Sequence, residues 1–170
     1  MKQKNIILCG FMGSGKTTVG RRLAPLAKMQ FIDLDDYIAE QQGKTVSAIF
    51  AEQGEEAFRR METEAAKALS NRTGLVIAAG GGTLLRAENV RIFRKNGSIV
   101  LLDTPLSILQ ERLKNDTFRP LLQRPDRKRF IADLYRRRMP AYCMAADLIV
   151  EGGYPAEKVA AQILDRVRKG

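Results

Sequence analysis

The segment from Gly10 to Thr17 constrains this chain more than any other part of its sequence. It runs Gly-Phe-Met-Gly-Ser-Gly-Lys-Thr and fits the pattern G-x-x-x-x-G-K-[ST] in full. The apolar, strand-like run Asn5–Cys9 precedes it, and a helix predicted from Lys16 follows it. In that context glycines let the backbone wrap a phosphate, with N–H groups and the helix N-terminus directed at its oxygens. The segment therefore predicts a nucleotide-phosphate site between a strand and a helix.

Individual side chains of this loop have separate expected tasks. Lys16 should reach the β- and γ-phosphates, and the Thr17 hydroxyl should ligate Mg²⁺. The expected ATP contacts within the loop are Gly13, Ser14, Gly15, Lys16, Thr17 and Thr18. The pattern alone leaves GTPases, motor ATPases and small-molecule kinases open. The chain of 170 residues is short for a motor and contains no Asn-Lys-x-Asp guanine-recognition motif, so a compact kinase remains.

Short apolar runs alternate with longer amphipathic ones along the chain. Strands are predicted at Asn5–Cys9, Phe31–Asp33, Leu75–Ala79, Ser98–Leu102 and Asp147–Val150. Helices are predicted at Lys16–Lys28, Asp35–Gln41, Thr45–Glu52, Gly54–Asn71, Ala87–Asn96, Leu106–Lys114, Asp126–Met139 and Ala156–Arg168. This alternation is typical of βαβ units and a mostly parallel sheet. Without a linker or an internal repeat, residues 1–170 are predicted to form one α/β domain.

The net charge of +10 raises the question of a nucleic-acid partner. Ten Lys or Arg against three Asp between Arg112 and Arg138 account for +7 of it. A nucleic-acid reader is expected to add stacking aromatics or a recognition motif, but the chain has no Trp and no such motif. Either a solvated helix face or a pocket for anionic small molecules would explain the charge, and the charge alone does not distinguish between these two explanations.

The tetrapeptide Asp33-Leu34-Asp35-Asp36 follows the second predicted strand. Asp33 and Asp35 alternate there, so both can face the cleft above the carboxyl ends of parallel strands, where such sheets bind ligands. An N-cap cluster for the next helix is the alternative, and it explains one of the three acids more readily than all of them. The tetrapeptide is therefore a candidate site for a polar ligand.

Two further elements complete the candidate site. Arg59 and Glu62 lie three residues apart on a predicted helix, so Glu62 can hold the guanidinium from one face, although an exposed ion pair is the alternative. Gly80–Gly82 directly follow the third predicted strand. Because consecutive glycines are costly to order, they indicate close approach of the backbone to a ligand.

In this order and spacing the elements resemble the shikimate kinase family. The resemblance extends over residues 5 to about 155, and it rests on Gly10–Thr18, Phe31–Asp36, Gly54–Glu62, Gly80–Gly82, Arg119–Leu122 and Arg138–Tyr142. It implies transfer of the γ-phosphoryl group of ATP to the 3-hydroxyl of shikimate, a step toward chorismate and the aromatic amino acids. It also implies a P-loop NTPase fold of three layers, α/β/α, with a five-stranded parallel sheet of order 2-3-1-4-5 and a mobile lid.

The resemblance implies roles for individual residues as well. Lys16, Asp35 and Arg119 are the expected catalytic residues, with Asp35 orienting the attacking hydroxyl and Arg119 reaching the ATP phosphates. The expected shikimate contacts are Asp35, Arg59, Gly81, Gly82 and Arg138, and the two arginines grip the carboxylate. Thr17 and, through water, Asp33 are expected to hold Mg²⁺. The acceptor region spans about residues 33–62.

The lid is expected at about residues 115–125, with Arg119, Arg124 and Pro125 over the phosphates. A solvated helix surface is expected to include Arg127, Lys128, Arg129, Arg136 and Arg137. Two positions depart from the family pattern: Ala79 stands where many relatives carry Thr, and the loop Glu151–Pro155 is short and lacks an Arg. No adenine contact is assigned there.

Other functions remain open on motifs alone. A gluconate or nucleoside-monophosphate kinase would share the fold, and a phosphate acceptor could use the same two arginines. A non-catalytic P-loop module or a nucleic-acid-binding regulator is a further alternative, against which the intact Lys16, Thr17 and Asp35 count. Two isolated cysteines, no His and no long apolar run lead us to expect a cytoplasmic protein without a membrane partner. The resemblance implies shikimate and ATP as its small-molecule partners, and we expect a monomer that binds no nucleic acid.

Overall fold

A computed structural model describes residues 3 to 169, whose strands form one five-stranded parallel sheet with helices on both faces. The strands are β1 (Asn5–Cys9), β2 (Gln30–Asp33), β3 (Leu75–Ala78), β4 (Gly97–Asp103) and β5 (Leu148–Glu151). The helices are α1 (Lys16–Ala27), α2 (Leu34–Gln42), α3 (Val46–Ser70), α4 (Ala87–Arg94), α5 (Leu106–Leu113), α6 (Arg127–Ala145) and α7 (Ala156–Lys169). The sheet order β2-β3-β1-β4-β5 confirms the expected order 2-3-1-4-5.

The sheet divides the core into two layers because alternate residues of each strand face opposite sides. On β1, Ile7 packs with α3, α4 and α6, whereas Ile6 and Leu8 pack with α1 and α7. All three side chains are almost completely buried, as expected for a central parallel strand covered by helices on both faces. The phosphate-loop segment that follows β1 is thereby attached to the buried, central strand of the sheet.

Two helices differ from the prediction by more than one or two residues at their ends. The helices predicted at Thr45–Glu52 and Gly54–Asn71 form one run, α3, that is broken only by the non-helical backbone of Gly54 (φ 80°, ψ 174°). Helix α6 continues to Ala145, although it was predicted to end at Met139. Pro140 removes one backbone donor from α6, and burial of apolar side chains beyond it keeps the chain helical.

The loops that matter for function all leave the same edge of the sheet. The carboxyl ends of β1, β2 and β3 lead into the phosphate loop, the acidic tetrapeptide and the glycine run, respectively. Two short 3₁₀ turns were not predicted from the sequence. Thr83–Leu85 follows the glycine run, and Pro120–Leu122 lies within the lid segment. Among residues 3–169, no helix has the length and apolar character needed to cross a bilayer.

Candidate functional site

A cleft of about 590 Å³ lies above the carboxyl ends of the strands. Its floor is the phosphate loop, and Asp33, Asp35 and the start of the glycine run line one side. Arg112, Arg119 and the segment 153–156 line the remainder. The cleft therefore brings together most of the predicted site residues, and Arg59 and Arg138 line an adjoining opening with Gly82.

The phosphate loop has three positive φ values, at Gly10, Gly13 and Gly15, which only glycine adopts without strain. Gly13 and Gly15 have φ values of 79° and 94°, and Gly15 caps the N-terminus of α1 with no side-chain cap. The free N–H groups at this end of α1 consequently face the cleft without a side-chain acceptor. Ser14 is buried and its hydroxyl has no partner within the protein, whereas Thr18 is exposed.

Lys16 folds back onto the loop that carries it. Its Nζ donates to the carbonyl oxygens of Gly10 and Phe11, at 2.7 and 3.2 Å. Burial lowers the pKa of Lys16 to about 8, and the nearby carboxylates of Asp35 and Asp33 oppose that shift. An anion bound in the loop would raise the pKa of this ammonium back toward its ordinary value, because it would add negative charge beside the buried cation.

Asp33 joins the end of β2 to the start of two helices. Its Oδ2 accepts a hydrogen bond from Thr17 Oγ1 at 2.8 Å, and its Oδ1 accepts from the backbone N–H groups of Asp35 and Asp36, at 3.0 and 3.2 Å. Asp33 is thus the N-cap of α2, the alternative explanation for this tetrapeptide, and it also faces the cleft. A hydroxyl and a carboxylate beside a phosphate loop suit Mg²⁺, which keeps most of its waters and takes few protein ligands.

Asp35 lies in the first turn of α2 and faces the cleft. Its Oδ1 is buried and has no hydrogen-bond partner within the protein. Burial raises the pKa of Asp35 to about 6, with further contributions from the charges of Asp33 and Glu62. An unpartnered carboxylate with a raised pKa is suited to accept a hydrogen bond or a proton from a ligand hydroxyl.

Arg59 is held by two carboxylates. Its Nη1 donates to Glu62 Oε2 at 2.7 Å, and its Nη2 donates to Glu55 Oε1 at 3.2 Å. Glu62 is fully buried, whereas the Glu55 side chain is 69% exposed, so Glu62 provides the fixed support. Thr83 Oγ1 donates to the other oxygen of Glu62 at 2.6 Å. The expectation that Glu62 holds this guanidinium is confirmed, and the alternative of an exposed ion pair is wrong.

Each glycine of the run Gly80–Gly82 faces a different side chain of the site. A Cβ atom on Gly80 would lie 2.8 Å from Asp35 Oδ1, and one on Gly81 would lie 3.4 Å from Arg138 Nη1. A Cβ on Gly82 would collide with the Arg59 guanidinium. The absence of side chains therefore allows three charged groups from α2, α3 and α6 to converge on one short turn.

The lid segment contains more structure than expected. Asp116 accepts from the backbone N–H groups of Phe118 and Arg119, at 3.0 and 2.9 Å, and pairs with the Arg119 guanidinium. Leu122 is fully buried and anchors the segment, while the Phe118 side chain is 91% exposed. Arg119 lines the cleft as expected, with its guanidinium committed to Asp116.

Two arginines of this region do not lie as predicted. Arg124 pairs with Asp126 and stacks on Phe130, 4.2 Å from the ring centre, and it does not line the cleft. Arg127 is not a solvated surface residue: it donates to the carbonyl oxygens of Leu122, Leu113 and Lys114. It thus ties both ends of the lid segment to α6, which no local sequence pattern could reveal.

Arg112 is a cleft residue that the motifs missed. It lies on α5 and its Nη1 donates to the carbonyl oxygen of Gly13 at 2.9 Å, beside the phosphate loop. Tyr154 and Pro155 line the same end of the cleft. The only sequence signal for Arg112 was its membership in the basic stretch from Arg112 to Arg138, which did not distinguish it from its neighbours.

Comparisons with known proteins agree on one family. The family model described as Shikimate kinase matches residues 12–168. The chain is 42% identical to the shikimate kinase of Xylella fastidiosa (strain 9a5c), over 95% of this chain and 91% of that protein. It is 39% identical to that of Sulfurihydrogenibium sp. (strain YO3AOP1), over 98% and 99%. The solved shikimate kinase from Acinetobacter baumannii in complex with shikimate superposes with a TM-score of 0.92 at 38% identity, over 98% of this chain and 94% of that one.

Proposed function

The chain belongs to the shikimate kinase family of ATP-dependent kinases, and we propose that it carries out the family's reaction with the residues assembled around its cleft. The γ-phosphoryl group of ATP is transferred to the 3-hydroxyl of shikimate, giving shikimate 3-phosphate and ADP. The family match removes the support for the gluconate-kinase and non-catalytic alternatives.

One observation carries the assignment of residues: the glycine turn brings Asp35, Arg59 and Arg138 together beside the phosphate loop. Shikimate carries one carboxylate and three hydroxyl groups. Guanidinium groups suit the carboxylate through charge-assisted hydrogen bonds, and a carboxylate suits the hydroxyls. Arg59 and Arg138 thus bind the carboxylate, Gly81 and Gly82 offer N–H groups to the ring, and Asp35 accepts from the reacting hydroxyl.

Phosphoryl transfer in this site depends mainly on positioning and on charge. The acceptor oxygen attacks the γ-phosphorus, the bond from phosphorus to the β,γ-bridging oxygen breaks, and ADP leaves. Asp35 accepts the proton of the attacking hydroxyl. With a pKa near 6, Asp35 is mainly ionised at neutral pH and still basic enough to accept that proton.

Cations of the site stabilise the transferring group. Lys16 exchanges its loop carbonyl partners for the β- and γ-phosphates, and Arg119 leaves Asp116 to reach the phosphates from the lid. Thr17 and, through water, Asp33 would hold Mg²⁺. When bound, Mg²⁺ neutralises charge on the β- and γ-phosphate oxygens. The nucleoside extends away from the acceptor, toward the end of the cleft lined by Arg112, Tyr154 and Pro155.

The surroundings of the reaction are part of the proposal. The protein acts as a cytoplasmic monomer on small molecules, without a nucleic-acid or membrane partner. Its basic stretch is explained in part by the site itself, since Arg112, Arg119 and Arg138 all contribute to the two ligand openings.

A coupled ADP-release assay tests the function directly. Mg·ATP is supplied with shikimate, quinate, gluconate or a nucleoside monophosphate as the acceptor. We expect ADP release that depends on shikimate and is abolished by EDTA. A clear signal from gluconate or a nucleotide, with none from shikimate, would overturn the proposal.

A further inference from the structure

Tyr142 is a buried polar residue to which the proposed reaction gives no task. It is among the largest fully buried side chains, with 1% of its surface exposed. Its hydroxyl donates a hydrogen bond to the carbonyl oxygen of Gly81. Burial raises the pKa of Tyr142 to about 12, so the hydroxyl stays protonated and remains a donor at neutral pH.

The helix that carries Tyr142 also carries Arg138, one turn earlier. Residues four apart lie on the same face of a helix, and α6 keeps that face across Pro140. Gly81 lies against both side chains, since a Cβ on it would be 3.4 Å from Arg138 Nη1 and 3.9 Å from Tyr142 Oη. One face of α6 therefore carries both the Arg138 guanidinium, which is directed at the acceptor in the proposed function, and the Tyr142 hydroxyl, which donates to the backbone of the turn.

The glycine turn needs such support. Fixing the backbone of one residue costs about 1–2 kcal/mol, and glycine has the most freedom to lose. The far end of the turn is already held, because Asn89 Nδ2 donates to the Thr83 carbonyl oxygen at 2.8 Å and Thr83 N donates to that of Gly80 at 3.1 Å. The Gly81 carbonyl, in the middle of the turn, is held by Tyr142.

We propose that Tyr142 is a positioning residue for the acceptor: its hydroxyl orients the Gly81 peptide so that the N–H groups of the turn are preorganised toward the acceptor beside Arg138. This inference rests on the proposed function, in which Gly81 and Gly82 contact the acceptor ring. Tyr142 itself touches no reacting atom. Its contribution is to spare the acceptor the cost of ordering the turn on binding.

The substitution Tyr142→Phe keeps the buried ring and removes only the hydroxyl. Releasing the backbone of one residue corresponds to a change of roughly five- to thirtyfold in binding. We therefore expect the KM for shikimate to rise by that factor while the KM for ATP stays unchanged. Tyr135→Phe is the matched control, because Tyr135 lies on the same helix as Tyr142 and lines neither the cleft nor the adjoining opening. An unchanged KM for shikimate, or an equal rise in both KM values, would overturn the inference.

A second measurement does not depend on activity. Nitrogen-15 relaxation reports the order parameters of Gly80–Gly82, which we expect near 0.85 in the unmutated protein without ligand and lower in Tyr142→Phe. Values below about 0.6 in the unmutated protein would overturn the inference even if the variant did not fold. A rigid turn in a protein that does not phosphorylate shikimate would instead overturn the proposed function, so the two failures are distinguishable.

Discussion

The Thr17 hydroxyl donates to Asp33 Oδ2 at 2.8 Å, which connects the first turn of α1 to the end of β2. Strand β2 ends at the carboxyl edge of the sheet, and α1 begins there. This shared edge is the reason that the two residues are neighbours. Asp33 also caps α2 through its other oxygen. The candidate Mg²⁺ ligands are consequently fixed by the same hydrogen bonds that hold the secondary structure together.

Asp33→Asn should raise the Mg²⁺ concentration needed for half-maximal activity several-fold. Asn is as good an N-cap as Asp, so the substitution removes a charge and leaves α2 intact. Mg²⁺ titration of the initial rate, with ATP saturating at each point, measures the effect. Thr17→Ser keeps the hydroxyl and is the matched control. A titration curve unchanged in Asp33→Asn would contradict the role of Asp33.

Lys16→Ala should lower kcat at least tenfold, or about 1.4 kcal/mol in transition-state stabilisation. The physical reason is the loss of the cation that follows the transferring phosphoryl group. Steady-state rates at saturating ATP and shikimate measure it. Lys67→Ala, which removes an exposed lysine paired with Glu64, should leave kcat unchanged. Near-normal turnover of Lys16→Ala would be incompatible with its assigned role.

Arg59→Leu and Arg138→Leu should each raise the KM for shikimate much more than that for ATP. Each removes a charge-assisted bond to one carboxylate, worth about 1.5–3 kcal/mol. Arg59→Leu should also lower the melting temperature, because buried Glu62 loses its cation. Arg136→Leu, an exposed change on the same helix as Arg138, is the control. If either site variant weakened only ATP binding, its assignment would be wrong.

Asp35→Asn should stabilise the protein without ligands at pH 7 and have little effect below pH 4. The pKa of Asp35 is raised from 3.8 to about 6, so the native state holds this proton more tightly than the unfolded chain. The stabilisation that protonated Asp35 contributes to the native state is therefore present below about pH 4 and is lost as the pH rises through 6. Thermal unfolding at pH 3.5 and 7 compares the two proteins, with exposed Asp165→Asn as control. Equal melting temperatures at pH 7 would contradict the expectation that the buried, ionised carboxylate of Asp35 destabilises the native protein.

Arg119→Ala and Asp35→Asn should separate the lid from the acceptor site. In the proposed mechanism Arg119 reaches the phosphates only when the lid closes, so its loss should lower kcat strongly and spare shikimate binding without nucleotide. Asp35→Asn loses the charged acceptor for a ring hydroxyl, so it should weaken shikimate binding without nucleotide as well. Calorimetric titration of shikimate into both variants, with and without ADP, measures the contrast. Equal losses without nucleotide would mean that Arg119 belongs to the acceptor site.

Local sequence was sufficient for the phosphate loop and for the class of fold. The loop motif needs only a strand before it and a helix after it, and both are specified by residues within one βαβ unit. The alternation of apolar and amphipathic segments specified the parallel sheet for the same reason. The Arg59 and Glu62 pair was also predictable, since residues three apart on a helix share a face whatever surrounds them.

Contacts between distant segments were decided by tertiary structure alone. Thr83 reaches Glu62, Arg127 reaches the carbonyl of Leu113, and Arg112 reaches Gly13 across 99 residues of sequence. The continuation of α6 past Pro140 was also decided by tertiary structure. The local effect of proline predicted that the helix would end at Met139, and burial of the side chains beyond it against the rest of the fold keeps it helical. Sequence patterns report the periodicity of one element, whereas these hydrogen bonds depend on how separate elements pack, which no single segment encodes.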